Sequence, residues 1–201
     1  GITLTFIGTP DYFQPATITL TGTGKIVYGF TGTLKYSGFL AKTISAVEFP
    51  ATVGPYNVNC NNSGGVILPA SLLSRTINGS LLLTTGTFTI GPGALLDLNG
   101  ASLSSGGGYL GGSNTSDLII QGKTGGTVTM PTNSNISLRT VTVKDTRSLA
   151  MNGTDNIALS GVLTIGAGAT YDTGGESQVT QNTGGAIIIN GRFITRDLQG
   201  F

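Results

Sequence analysis

The chain repeats itself. Residues 88–100 return as 163–175 with the frame T-I-G-x-G-A-x-x-D-x-x-G intact, from Thr89-Ile90-Gly91 to Gly100 and from Thr164-Ile165-Gly166 to Gly175. A gapless frame of this kind marks a chain assembled from reused supersecondary units. Two further frames agree. A Gly-Gly step enters a short apolar run at 63–69, 124–131 and 183–189. An apolar-(Ser/Thr/Asn)-Gly-x-apolar frame recurs at 30–34, 77–81, 159–163 and 189–193.

Composition limits what such units can build. Of 201 residues, 33 are glycine and only 9% are charged, so Thr, Ser and Asn must supply the polar surface. Ten basic against nine acidic residues leave a net charge of +1. No basic stretch offers the electrostatic footprint that nucleic acid requires. With no histidine and one cysteine, a disulfide framework, a zinc site and every His-dependent triad are excluded within the chain. Cys60, in the alternating run Tyr56-Asn57-Val58-Asn59-Cys60, reads as a small buried hydrophobe sharing one strand face with Tyr56 and Val58. No run approaches the roughly 18 apolar residues of a membrane helix.

Glycine, proline and β-branched residues break every helical window, and 70–74 is the only stretch that tempts a helix. Strand signals recur at 2–6, 17–21, 25–28, 81–83, 117–120, 128–130, 138–143 and 186–189. The frames favour an all-β solenoid of parallel β-helix type over a sandwich, because stacking successive turns about 4.8 Å apart places like residues together. A turn of about 20 to 25 residues is expected. Aromatic residues crowd the first fifty positions, so 1–55 is read as an irregular or sandwich-like β segment and 56–201 as the solenoid, a module of a longer chain whose open strand edges call for continuation.

Candidate chemistry is sparse. The acids Asp11, Glu48, Asp97, Asp117, Asp145, Asp155, Asp172, Glu176 and Asp197 stand singly, whereas glycoside cleavage needs two on one bond. Lys144-Asp145-Thr146-Arg147 is the best cluster for a lyase-like or calcium site, against a turn with local ion pairs. Asp97 and Asp172 share one place in the duplicated frame, which suggests a repeated corner hydrogen bond rather than calcium. Thr-x-Thr pairs (Thr3/Thr5, Thr17/Thr19, Thr21/Thr23, Thr85/Thr87, Thr127/Thr129, Thr140/Thr142) invite an ice-binding reading, but they keep no fixed turn length. The Gly-rich run 106–113 lacks the lysine and helix of a phosphate loop. It reads as a loop leaving the rod, with Tyr109 exposed or packed over it. Asn78 and Asn152 open sequons that serve equally as tight turns.

Tyr36-Ser37-Gly38, Thr43-Ile44-Ser45, Glu48-Phe49-Pro50, Tyr56-Asn57-Val58 and the stretches 62–69 and 79–91 together resemble the repeats of very large cell-surface proteins of Bacteroidetes. The resemblance covers about residues 30–100 well and 155–201 moderately. Lys42 stands where those repeats carry Gln, and Asn57-Val58 shortens their Asn-Asn-Leu step. It implies an extracellular, cell-surface, adhesin-like protein exported by the type IX system. The expectation is therefore a non-enzymatic structural or adhesive module of a surface protein or filament, with no catalytic, metal or cofactor residues. Its expected partners are neighbouring modules and surface glycans, with no nucleic acid and no membrane insertion. A polysaccharide-binding or polysaccharide-degrading β-helix and an ice-binding solenoid are the alternatives.

Overall fold

A strand of three or four residues buries one or two side chains by itself and is stable only when stacked. In the computed structural model, which describes residues 3–6, 8–9, 11–13, 24–124, 126–132, 135–152, 155–175, 178–181 and 185–196, the strands stack as a three-sided parallel β-solenoid. Side one carries β1 (Thr3–Phe6), β3 (Lys25–Tyr28), β8 (Ser74–Ile77), β11 (Leu95–Asn99), β14 (Asp117–Gln121), β17 (Thr140–Val143), β20 (Val162–Ile165) and β23 (Ala186–Ile189). Side two carries β2 (Asp11–Phe13), β4 (Thr33–Gly38), β6 (Asn57–Asn62), β9 (Ser80–Thr85), β12 (Ser102–Ser105), β15 (Thr127–Thr129), β18 (Ser148–Ala150), β21 (Thr170–Asp172) and β24 (Arg192–Ile194). Side three carries β5 (Lys42–Thr43), β7 (Val66–Leu68), β10 (Thr87–Ile90), β13 (Tyr109–Gly111), β16 (Asn135–Leu138), β19 (Asn156–Leu159) and β22 (Gln178–Gln181). Paired strands are parallel and offset by 21 to 24 residues, one coil.

Inward residues form rows along the rod. On side two, Leu34, Val58, Leu81 and Leu103 are register partners, as are Tyr12, Tyr36, Cys60 and Leu83, and all are buried. On side one, Leu96, Leu118, Val141 and Leu163 form one row and Ile77, Leu98, Ile120, Val143 and Ile165 another. Each fully buried Leu or Ile contributes about 1.5–3 kcal/mol, so the rows, not the separate strands, hold the rod together. The stretch expected to be helical yields only a 3-10 turn at Ala70–Leu72. The expected strand over 138–143 breaks at Arg139, a one-residue corner between β16 and β17. The signal at 17–21 lies outside the described residues.

Winding is continuous across residue 55: β4 pairs with β6 through six register partners and β5 pairs with β7. What distinguishes the N-terminal segment is the stretch 44–56, which replaces a side-one strand with turns. Buried groups pin it. Lys42 Nζ meets Glu48 Oε1 at 2.7 Å with both side chains out of solvent, and Glu48 Oε2 accepts the Ser45 amide at 3.0 Å. The Tyr28 hydroxyl donates to the Glu48 carbonyl at 2.5 Å. Arg75, in the inward row below Leu96, donates from Nε to the Phe49 carbonyl at 2.5 Å and lies over the Phe49 ring.

The sequence frames prove to be corners, not coils. The G-x-G-A frame turns side three into side one at 91–94 but side one into side two at 166–169. The tight Gly corner joins sides one and two at Gly32, Gly79 and Gly191, yet sides three and one at Gly161. The Gly-Gly steps lead into β7, β15 and β23, one on each side. Between the two halves the ladders of sides two and three are interrupted, β12 from β15 and β13 from β16, while side one runs unbroken through six strands. Arg147 spans the interruption. It is only 1% exposed, with Nη1 donating to the Thr124 carbonyl at 2.6 Å and Nη2 to the Ala101 carbonyl, two coils away, at 2.5 Å.

Replacing Arg147 with Met leaves those two carbonyls without their buried donor. Urea unfolding is expected to show a loss of about 2–4 kcal/mol. Gly86 has φ +69°, and a Cβ there would lie 1.9 Å from the Asn62 carbonyl oxygen of the preceding coil. Gly86→Ala is expected to lower the unfolding midpoint sharply, whereas Gly8→Ala, which meets nothing within 4 Å, leaves it in place.

Candidate contact surface

The described acids among those singled out are dispersed over the rod. Asp11 meets Lys35 at 2.5 Å and accepts the Ser37 hydroxyl at 2.9 Å. Asp117 accepts Arg139 Nε at 2.9 Å, pairs again with the same guanidinium, and accepts the Thr140 hydroxyl at 2.8 Å. Asp172 pairs with Arg196 at 2.7 Å. Glu176 and Asp197 lie outside the described residues. Among the described residues no three His, Cys, Asp or Glu side chains gather as a metal site would need. No helix there is long and apolar enough to cross a membrane.

Lys144-Asp145-Thr146-Arg147 does not converge. Asp145 Oδ2 accepts the Gly122 amide of the previous coil at 2.7 Å, while Arg147 turns into the core. The shared place of Asp97 and Asp172 has two outcomes, because the frame sits at different corners. Asp172 makes the expected corner bond, Oδ1 accepting the Gly174 amide at 3.0 Å. Asp97 instead lies mid-strand, with Oδ2 accepting Gln121 Nε2 at 2.7 Å and the Thr76 hydroxyl at 3.4 Å, and Oδ1 buried without a partner.

Threonine pairs do not form one rank. Thr127 and Thr129 lie on side two and Thr140 and Thr142 on side one, and Thr85 and Thr87 straddle the corner between sides two and three. The Gly-rich run stays in the wall: β13 pairs with β10, and a Cβ on Gly108 would come within 2.8 Å of the Gly86 carbonyl. Tyr109 points outward, partly exposed. Cys60 is fully buried, its thiol pushed up to about 11 chiefly by that burial. Tyr56, expected beside it in the core, precedes the strand and lies outside, stacked on Phe30 with ring centroids 6.0 Å apart.

That pair marks the surface best suited to a ligand. Phe30 is 90% exposed and sits at the corner leading into β4; Phe39 and Leu40, also exposed, stand at the corner leaving it. Between them, outward Asn, Ser and Thr side chains of side two form a hydrogen-bonded ladder, bordered by the Lys35–Asp11 ion pair. Asn57 donates to the Thr33 hydroxyl at 3.3 Å, Ser80 donates to Asn57 at 2.9 Å, and Thr84 donates to Asn59 at 2.9 Å. The aromatic signal was visible in the sequence as a crowd near the N-terminus, but not its placement on the two rims of one side. No family model, no curated protein and no solved structure matches the chain.

Two carboxylates give opposite tests of the side-one electrostatics. Burial alone would raise Asp117, but the hydrogen bonds from Arg139 and Thr140 and the guanidinium charge hold it below its ordinary value. Its stabilisation is complete above the ordinary carboxylate range and is lost as pH falls through the depressed value. Asp97 is raised, first by burial, against the hydrogen bonds from Gln121 and Thr76; protonation therefore favours the fold there. At pH 7 Asp97→Asn is expected to hold or raise Tm and Asp117→Asn to lower it, at about 2–4 °C per kcal/mol. The Asp117→Asn deficit should shrink when the thermal scans are repeated at progressively acid pH.

Proposed function

We propose that this chain is a non-catalytic structural and adhesive module of a long bacterial cell-surface protein or extracellular fibre. The observation that carries the reading is the state of the rod ends. In β23 all four residues are exposed, although Ile187 and Ile189 are the register partners of fully packed Leu163 and Ile165. At the other end Leu4, the partner of buried Ile26, is 40% exposed. On side one the inward rows thus run out to both ends with apolar side chains uncovered. A further coil or a neighbouring module supplies the missing layer, and side two is then displayed along an extended shaft. The resemblance to Bacteroidetes-type repeats supports an extracellular setting for such a shaft.

Electron microscopy of the intact parent protein on cells and after purification tests this. Continuous fibres with a module repeat are expected, and isolated compact particles would sink the reading. In the purified protein, Ile187→Lys combined with Ile189→Lys is expected to disrupt the fibre locally at this module while circular dichroism of the 201-residue chain stays unchanged.

A further inference from the structure

The interruption that shifts the corners also opens the wall. On side two, β12 and β15 are neighbours without a shared ladder. Between the two strands lies a cleft of about 310 Å³, at the lower end of the about 300–1,000 Å³ usual for small-molecule sites. Its floor is apolar, formed by buried Leu103, Met130 and Pro131. Its rim is hydroxyl and amide: Ser104, Thr129 and Asn152 are exposed, and their side chains make no hydrogen bond to another described residue. Among the described residues no ionisable side chain lines it.

We propose that this cleft is a subsite for one residue of a neutral glycan. A sugar ring presents C–H groups on its faces and hydroxyls around its edge, and the cleft offers an apolar floor ringed by neutral donors and acceptors to match. An acidic or phosphorylated sugar would lose hydration there without a counter-charge, at a cost the lining cannot offset. A peptide strand does not fit, since β12 and β15 still contact one another. The remainder of an extended glycan would lie along side two, over the outward Asn, Ser and Thr side chains that precede β12. The inference gives the adhesive reading its ligand class and rests on that reading only for its biological setting.

Titration of the folded chain with neutral hexasaccharides (β-1,4-glucan, α-1,4-glucan and β-1,4-mannan), with hexagalacturonate as the acidic comparison, tests it by amide-resolved NMR. At least one neutral sugar is expected to saturate, with a Kd of about 0.1–1 mM for so small a contact, and to shift Ser104, Thr129 and Asn152. Ser104→Trp, which fills the cleft from an exposed rim position, should weaken binding by about tenfold or more, and Asn152→Ala by a few-fold. Phe30→Ala should leave it within about twofold. Absence of saturation by any of the neutral sugars at about 10 mM, preference for the acidic one, or unchanged affinity in a folded Ser104→Trp variant would each overturn the proposal. A sugar site lost only in Phe30→Ala would also overturn it and move the contact to the rim aromatics. Fibres seen by microscopy together with failed sugar binding would remove this inference and leave the module reading intact.

Discussion

The register between coils is the constraint on which everything else depends. A single coil cannot enclose its own apolar side chains, so Leu34, Val58, Leu81 and Leu103 are buried only because each lies directly over the last. Since inward and outward positions alternate along each strand, a slip of one residue would exchange that row for the Thr33, Asn57 and Ser80 ladder. Two different demands, a dry interior and a hydrogen-bonded polar exterior, therefore choose the same register.

Corners are where the winding spends its irregularity. The chain changes corner type midway, and the cost falls on sides two and three, whose ladders are interrupted, while side one continues as a six-stranded spine. Arg147 answers that interruption with a guanidinium directed at main-chain oxygens, which suits it better than lysine because a planar fork reaches two carbonyls at once. Arg75 plays a related part beside the turns at 44–56, where a side-one strand is missing. Both arginines are buried without a carboxylate at the guanidinium, held instead by backbone carbonyls. These two buried guanidiniums hold main-chain carbonyls where the winding departs from regularity.

Side two collects the features that a ligand could use because it is the side with the longest run of six-residue strands. β4, β6 and β9 are six residues long, which separates the Phe30–Tyr56 and Phe39–Leu40 corners and leaves room between them for a ladder of Asn, Ser and Thr side chains beside the Lys35–Asp11 ion pair. The cleft between β12 and β15 lies at the C-terminal limit of that ladder. Asp97 and Asp117, by contrast, lie on side one among Thr, Gln and Arg partners from adjacent coils, where they tie coil to coil.

Much of the architecture was legible in the residues. Short β-branched runs punctuated by glycine, with frames that recur, specify a parallel solenoid, and the observed coil of 21 to 24 residues falls inside the expected range. The frames were legible as repeats but not as to what they repeat: residues 88–100 and 163–175 encode the same corner used on different sides, because a strand–corner–strand unit carries no record of which edge of the prism it will occupy. Sequence spacing for that reason put Asp97 and Asp172 in one role and found them in two. The alternation in 56–60 likewise assigned Val58 and Cys60 correctly but not Tyr56, which falls before the first ladder pair.

By itself the sequence determined the local grammar: which residues face inward, where the chain turns, and that charge and histidine chemistry are scarce. Only the tertiary structure decided which corners stack, that Arg147 enters the core to bridge three coils, that Lys42 and Glu48 meet in the dark beneath a missing strand, and that side two carries both the aromatic rims and the cleft. The reason is physical. Inward or outward facing and turning are set by neighbours within a few residues, whereas stacking joins positions some 22 residues apart, so a local pattern carries no record of which strand it will meet in the next coil.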